Sequence, residues 1–359
     1  MKEVLLKNMF PDEATRPAGL TMADVEKVTS IGTWFKGNTA IEYFDEFEKF
    51  INAKTLQTSA FDGCANLASM TATQVESIGE FSFRGTSSLA IRVNMPNLKS
   101  ISSGAFYQSG IVAVDNFGAI TSMKNNGGYS AFAECRSLKE VHMPSTLTSL
   151  CDYAFQQCDA LVFADGFDNV TSVGEYAFWK CKMLNGISLP NVSTIGGQAF
   201  DECVALNGDY NFPQLNTISG YYCFRQAGLL SFVAEELTSA GYFTFQDCTN
   251  LKTVRIPKCT AILNGMFKGC KSLIAVDISS STKLVNDAFN GCSSLENIDL
   301  PSSITSIASY SFLSCAKLST VICRANTPPT LGGGAFNGTQ LSSATSSIFV
   351  PDASVDAYK

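Results

Sequence analysis

Charge is what this 359-residue chain has least of. Asp, Glu, Lys and Arg together make up 16% of it, and there is one histidine. No stretch is basic, the formal net charge is −7 and the isoelectric point is about 4.9. Nucleic-acid binding relies on Lys and Arg that displace counterions from phosphates, so DNA and RNA are excluded as partners. The same acidic balance disfavours anionic lipid. No apolar run approaches the roughly 18 to 20 residues of a membrane span, so no membrane insertion is expected. The opening MKEVLLKNMF has too short an apolar part for a secretory signal and is followed by Pro11, Asp12 and Glu13. Either the protein is not exported or this is a trimmed mature form.

Catalytic patterns are missing as well. There is no G-x-S-x-G, G-x-x-x-x-G-K-[ST], H-E-x-x-H or C-x-x-C, which argues against a nucleophile elbow, a phosphate loop, a zinc protease and thioredoxin-type chemistry. Gly332-Gly333-Gly334 reads as a turn ahead of Ala335-Phe336. His142 stands between Val141 and Met143 and points away from the core, with no nucleophile motif near it. Asp277 and Asp299 lie one repeat apart, a separation of roughly 5 Å at strand spacing. Aligned rungs explain this without a glycosidase pair. The reading is a non-enzymatic chain with no cofactor and no metal.

What the chain does have is a period. Phenylalanine recurs at Phe61, Phe83, Phe106, Phe132, Phe155, Phe178, Phe200, Phe224, Phe245, Phe267, Phe289, Phe312 and Phe336, with a mean spacing close to 23. Three residues after each comes a small residue, and in nine of the thirteen cases it is Cys. Ala, Ser and Thr replace Cys there, so the position asks for size, and the thirteen cysteines read as buried thiols rather than a disulfide framework. An aliphatic residue follows, then a short alternating segment such as Val141-His142-Met143 or Ile298-Asp299-Leu300, often closed by Pro. Alternation with one buried face predicts a strand of about three residues, and Pro ends it because it cannot donate to the next ladder bond. A second aliphatic pair precedes the next Phe, as at Ile304 and Ile307. Ala-Phe-x-x-Cys has helical spacing, which places Phe and the small residue on one face of a short turn. No single coil buries its own Phe, so stacking must make the core.

The frame A-F-x-x-C-x-x-L-x-x-V-x-L-P, fullest from Ala131 to Pro144 and from Ala177 to Pro190, resembles the BspA-like leucine-rich repeat. The resemblance covers roughly residues 55 to 340. It implies an α/β repeat solenoid, right-handed, of about thirteen coils with short strands on one face. Residues 1–54 are expected to be an N-terminal cap and residues 341–359 a C-terminal cap. Thr21-Met22-Ala23-Asp24 reads as a capping box that starts a helix carrying Val25 and Val28. Asp352 is placed to cap a short last helix. In relatives that end continues with an aromatic-containing helix, so the cap that stops at Lys359 is expected to be clipped. Lys124-Asn125-Asn126-Gly127-Gly128 falls in the longest gap and reads as an extruded turn.

The resemblance further implies a cell-surface, adhesin-type protein that contacts host protein, matrix or glycan. A structural or virion-associated scaffold is the alternative. The binding surface is expected on the strands, where the residue between two buried aliphatics points outward. Stacking lines up Thr71, Asn94, Asp115, His142, Asp165, Ser188, Asn211, Ala234, Arg255, Asp277, Asp299 and Ile322. A second outward column, two residues earlier, includes Glu140, Phe163, Phe232, Thr253 and Asn297. Phe163 and Phe232 are expected as exposed anchors, because a protein partner or sugar ring is the usual reason for an aromatic on such a face. Glu140, His142, Asp165, Arg255, Asp277 and Asp299 supply the polar contacts.

Overall fold

The computed structural model of the chain describes residues 1–123 and 125–358. Lys124, in the expected turn, and Lys359, at the expected clipped cap, lie outside the described residues. The chain divides into two compact units, one of residues 1–170 with 177–188, the other of 171–176 with 189–359. Each is a parallel β-solenoid of the leucine-rich-repeat kind, and between them they carry the thirteen Phe repeats.

In the first unit the alternating segments Arg92–Met95, Ala113–Phe117, Glu140–His142, Phe163–Asp165 and Gly186–Ile187 form one parallel sheet. In the second, Asp209–Asn211, Ser231–Val233, Thr253–Arg255 and Ala275–Asp277 form another, and Asn297–Leu300, Thr320–Cys323 and Ser347–Phe349 a third. The second aliphatic pair of most coils makes its own ladder of two-residue strands. Thr55–Leu56, Ser77–Ile78 and Ser100–Ile101 pair in the first unit, and Thr194–Ile195 with Thr217–Ile218 in the second.

The Ala-Phe-x-x-Cys piece is the third side of the coil, a short turn that buries Phe and the small residue together, as at Phe61 and Cys64, where Cys64 N donates to Phe61 O at 3.1 Å; it does not continue as a helix. Backbone N–H groups at alternate positions leave the coil instead of bonding within it: Phe61 N donates to Ser82 O at 2.7 Å and Gly63 N to Arg84 O at 2.8 Å. Turning every second donor outward requires left-handed backbone two residues before and two residues after the core Phe. Tyr153 (φ 60), Gln157 (φ 54), Tyr222 (φ 58) and Gln226 (φ 58) show the pair in two coils, and Gly takes the same positions at Gly104 and Gly269. A side chain there costs roughly 1–2 kcal/mol that glycine avoids, set against about 0.5–1 kcal/mol of extra chain entropy for glycine. Gln226 is exposed, so Gln226→Gly is expected to raise the urea midpoint by an amount worth about 0.5 kcal/mol. A lower midpoint would show that the ladder does not strain that residue.

Neighbouring Phe rings lie parallel inside each stack: 4.9 Å and 4° between Phe83 and Phe106, 5.5 Å and 1° between Phe245 and Phe267. Cysteine does more than fit. Cys135 Sγ donates to Phe106 O at 2.9 Å, Cys158 to Phe132 O at 3.2 Å and Cys292 to Phe267 O at 3.1 Å. Each of these thiols thus gives a second hydrogen bond to a buried carbonyl of the coil before it, which also accepts a backbone N–H within its own coil. Thr86 instead bonds within its own coil, through Phe83 O at 2.8 Å. The position therefore selects a small donor, with size alone sufficing at Ala227. Burial pushes the Cys135 and Cys315 thiols up to about 12 and Cys64 to about 11.

The helix Met22–Glu26 begins at a formed capping box: Asp24 N donates to Thr21 Oγ1 at 3.2 Å and Thr21 N to Asp24 Oδ2 at 3.0 Å. Val25 and Val28 are buried beneath it. The ring stack reaches back to Phe35, 5.4 Å from Phe61 and inside the segment assigned to the cap. Asp352–Tyr358 is a 3-10 helix whose Tyr358 hydroxyl donates to Ala325 O at 2.7 Å. Asn125–Asn126 pairs antiparallel with Tyr129–Ser130 across Gly127 and Gly128.

Candidate functional site

The outward strand residues of the first unit form two columns. One runs through Arg92, Ala113, Glu140, Phe163 and Gly186, the other through Asn94, Asp115, His142 and Asp165. Arg92 bridges rungs, with Nε and Nη2 on Asp115 at 2.6 and 3.0 Å and Nη2 on Glu140 at 2.9 Å. His142 Nδ1–H donates to Asp165 Oδ1 at 2.8 Å, and Nε2 lies 3.9 Å from Asp115 Oδ1, so the ring sits between two carboxylates. One cause of this crowding is a bulge: the register shifts between Asn94 and Met95, and Asn116 takes φ 43 opposite it.

Phe163 stands out on this face. It is 45% exposed, and its ring centroid is 5.7 Å from that of His142 at 51°. On the other side its in-register partner is Gly186, where an added Cβ would meet nothing within 4 Å.

Phe232, expected as the second exposed anchor, is a core residue. It is fully buried, with ring centroids 4.8 Å from Phe245 and 5.5 Å from Phe224. Ser231 and Val233 point outward instead, paired with Thr253 and Arg255. The strand begins seven residues after Phe224, where Glu140 and Phe163 come eight after theirs. A one-residue slip swaps the two faces of a strand. Gly228 accommodates the shortened connection, since a Cβ there would lie 2.4 Å from Val204 O. The same slip moves Ala234 into the core and puts Val233 in the column.

In the second unit the polar column is Asn211, Val233, Arg255 and Asp277, and further on Asp299 pairs with Ile322. Arg255 reaches Glu235 and Asp277, both at 2.5 Å. Arg324 holds Asp299 through two bonds of 2.7 Å. Asp277 and Asp299 line a groove of about 390 Å³ with Ser279, Ser302 and Arg324. Each carboxylate is paired with its own guanidinium, Asp277 with Arg255 and Asp299 with Arg324.

One aromatic surface was not anticipated. Tyr221 and Tyr242 are 56% and 40% exposed, with centroids 5.4 Å apart at 20°. Behind them Tyr222 and Phe243 stack at 5.2 Å and 17°. The signal was present: Tyr221-Tyr222 and Tyr242-Phe243 occupy the same two positions ahead of Phe224 and Phe245.

These features define a repeat-based binding module, with rungs of paired charges on a strand face and a core of stacked rings. The family model for the BspA type leucine rich repeat region matches residues 21–127, 54–185, 127–231 and 238–355, and the chain belongs to that family. A search of the curated proteins found no match. Among solved structures, a leucine-rich repeat protein from Bacteroides ovatus is 22% identical with a TM-score of 0.70, over 90% of this chain and 88% of that one. A leucine rich cell surface protein from Faecalibacterium prausnitzii is 24% identical with a TM-score of 0.42, over 76% of each chain. A leucine-rich repeat protein of T. pallidum is 25% identical with a TM-score of 0.37, over 56% of this chain and 86% of that one. No helix among the described residues is long and apolar enough to cross a membrane.

Proposed function

We propose that this chain is a non-enzymatic, adhesin-type module of the cell surface. It contacts host protein, matrix or glycan through the strand face of its first unit. The observation that carries the reading is Phe163, nearly half exposed on a face whose other groups are held in ion pairs across rungs. Fixed charges give register and orientation, and an exposed ring among them provides the apolar contact that dominates many interfaces. The test is an array of matrix proteins and oligosaccharides screened with the purified chain. Phe163→Ser is expected to weaken binding to the captured ligand at least about tenfold, close to 1.4 kcal/mol, with melting temperature unchanged. Unchanged affinity would move the contact surface away from Phe163.

A further inference from the structure

Resting on that reading of the Phe163 face, we infer that the partner is a protein segment presenting an arginine, whose guanidinium lies flat on the Phe163 ring. Three observations point the same way. First, the ring has an open side. Its in-register neighbour is Gly186, around whose missing Cβ nothing lies within 4 Å, so the strand face forms a shelf beside an exposed aromatic. A planar guanidinium is the cation that stacks on such a face.

Second, the shelf is flanked by carboxylates with capacity to spare. Glu140, in register with Phe163, commits Oε2 to Arg92, and Asp165 commits Oδ1 to His142. Among the described residues nothing donates to Glu140 Oε1 or Asp165 Oδ2. Both side chains are close to half exposed. A guanidinium carries five N–H donors and can use both oxygens while it covers the ring.

Third, the charge is uneven. Asp115, Glu140 and Asp165 share one guanidinium, that of Arg92, which pairs with the first two, while Asp165 meets only the imidazole of His142. The patch attracts a cation and repels anionic chains, sulfated or sialylated glycans included. An uncharged sugar would also stack on Phe163, but it would gain nothing from this imbalance.

The probe is a short fluorescent peptide with two arginines separated by one residue, titrated into the full chain. Its controls are the same peptide with citrulline for arginine, and cellohexaose. Citrulline keeps the shape and removes the charge. The arginine peptide is expected to bind at least tenfold more tightly than the citrulline peptide, and to weaken severalfold as salt rises. Glu140→Gln with Asp165→Asn is expected to cost at least tenfold, since both amides keep an acceptor for Arg92 and His142. Gly186→Leu fills the shelf from open space and is expected to cost as much without lowering the melting temperature. The inference is overturned if citrulline binds as well as arginine, if neither peptide binds at millimolar concentration, or if cellohexaose binds through Phe163 and survives the carboxylate substitutions. If a partner captured on the array depends on Phe163 while the arginine peptide does not bind, this inference fails and the contact surface stands. If that partner ignores Phe163→Ser, the surface itself is wrong.

Discussion

Raising the pH from about 8.5 to 10 under reducing conditions is expected to unfold this protein. The cause is the array of buried thiols. Burial raises the ionisation of Cys64, Cys135, Cys151, Cys158 and Cys181 in the first unit. It does the same for Cys223, Cys248, Cys259, Cys270, Cys292 and Cys315 in the second. In the unfolded chain these thiols ionise near their ordinary value of about 8.5, while in the folded chain they stay protonated. The folded state then binds more protons than the unfolded state, so stability falls as pH rises. The contribution is fully present below about pH 8.5 and is lost toward pH 12, at a rate approaching 1.4 kcal/mol per pH unit for each thiol. Six such thiols in the second unit lose on the order of 8 kcal/mol per pH unit once their unfolded counterparts are ionised, against a total stability of about 5–15 kcal/mol for a typical domain. Urea midpoints measured across this range should fall steeply, and Cys270→Ser with Cys292→Ser should flatten the slope by two thiols' worth while keeping a donor for each carbonyl. A midpoint that stays level to pH 10 would contradict thiol burial.

How far this was legible in the sequence differs from feature to feature. The core was, because Phe and the small residue recur in phase and only stacking can bury a ring that size in a coil of 23 residues. The hydrogen bond from each thiol was not: Ala and Ser share the position, and their presence reads as a demand for size. Left-handed backbone on both sides of Phe was hidden for a related reason. Gln157, Lys180 and Tyr222 fill positions that glycine takes elsewhere, so no glycine signature marks the turn, and the i to i+3 spacing looked helical. On the strand face, Phe163 was placed correctly as exposed and Phe232 was not. The cause was one residue fewer after Phe224, a count available in the sequence and shared by the Phe106 coil, whose Ala113 also comes seven residues on. Ion pairs across rungs were not legible, since side-chain reach over a spacing near 5 Å decides which of several partners Arg92 or Arg255 takes.

The register difference sets up the other large effect expected here. Phe267→Ala should cost roughly 3–5 kcal/mol, the range for removing a buried ring. Its ring sits between Phe245 and Phe289, at 5.5 and 5.1 Å, and is fully buried. Its backbone is tied to the Phe289 coil, with N donating to Ala288 O at 2.9 Å and O accepting from Cys292, and the adjacent Met266 O accepts from Phe245 N at 2.9 Å on the other side. Those bonds hold the coil in place, so neighbours cannot close the gap and most of the cavity remains. Coupling in a repeat array is to nearest neighbours, so lost hydrogen-exchange protection should centre on the coils of Phe245, Phe267 and Phe289 and fade beyond them. Phe232→Ser should behave like this core substitution, since its ring touches Phe224 and Phe245, whereas Phe163→Ser should leave the melting temperature where it is. A Phe232 variant as stable as the Phe163 variant would return that ring to the surface and undo the one-residue register argument. Protection lost uniformly in the Phe267 variant would instead show a unit that unfolds as a whole.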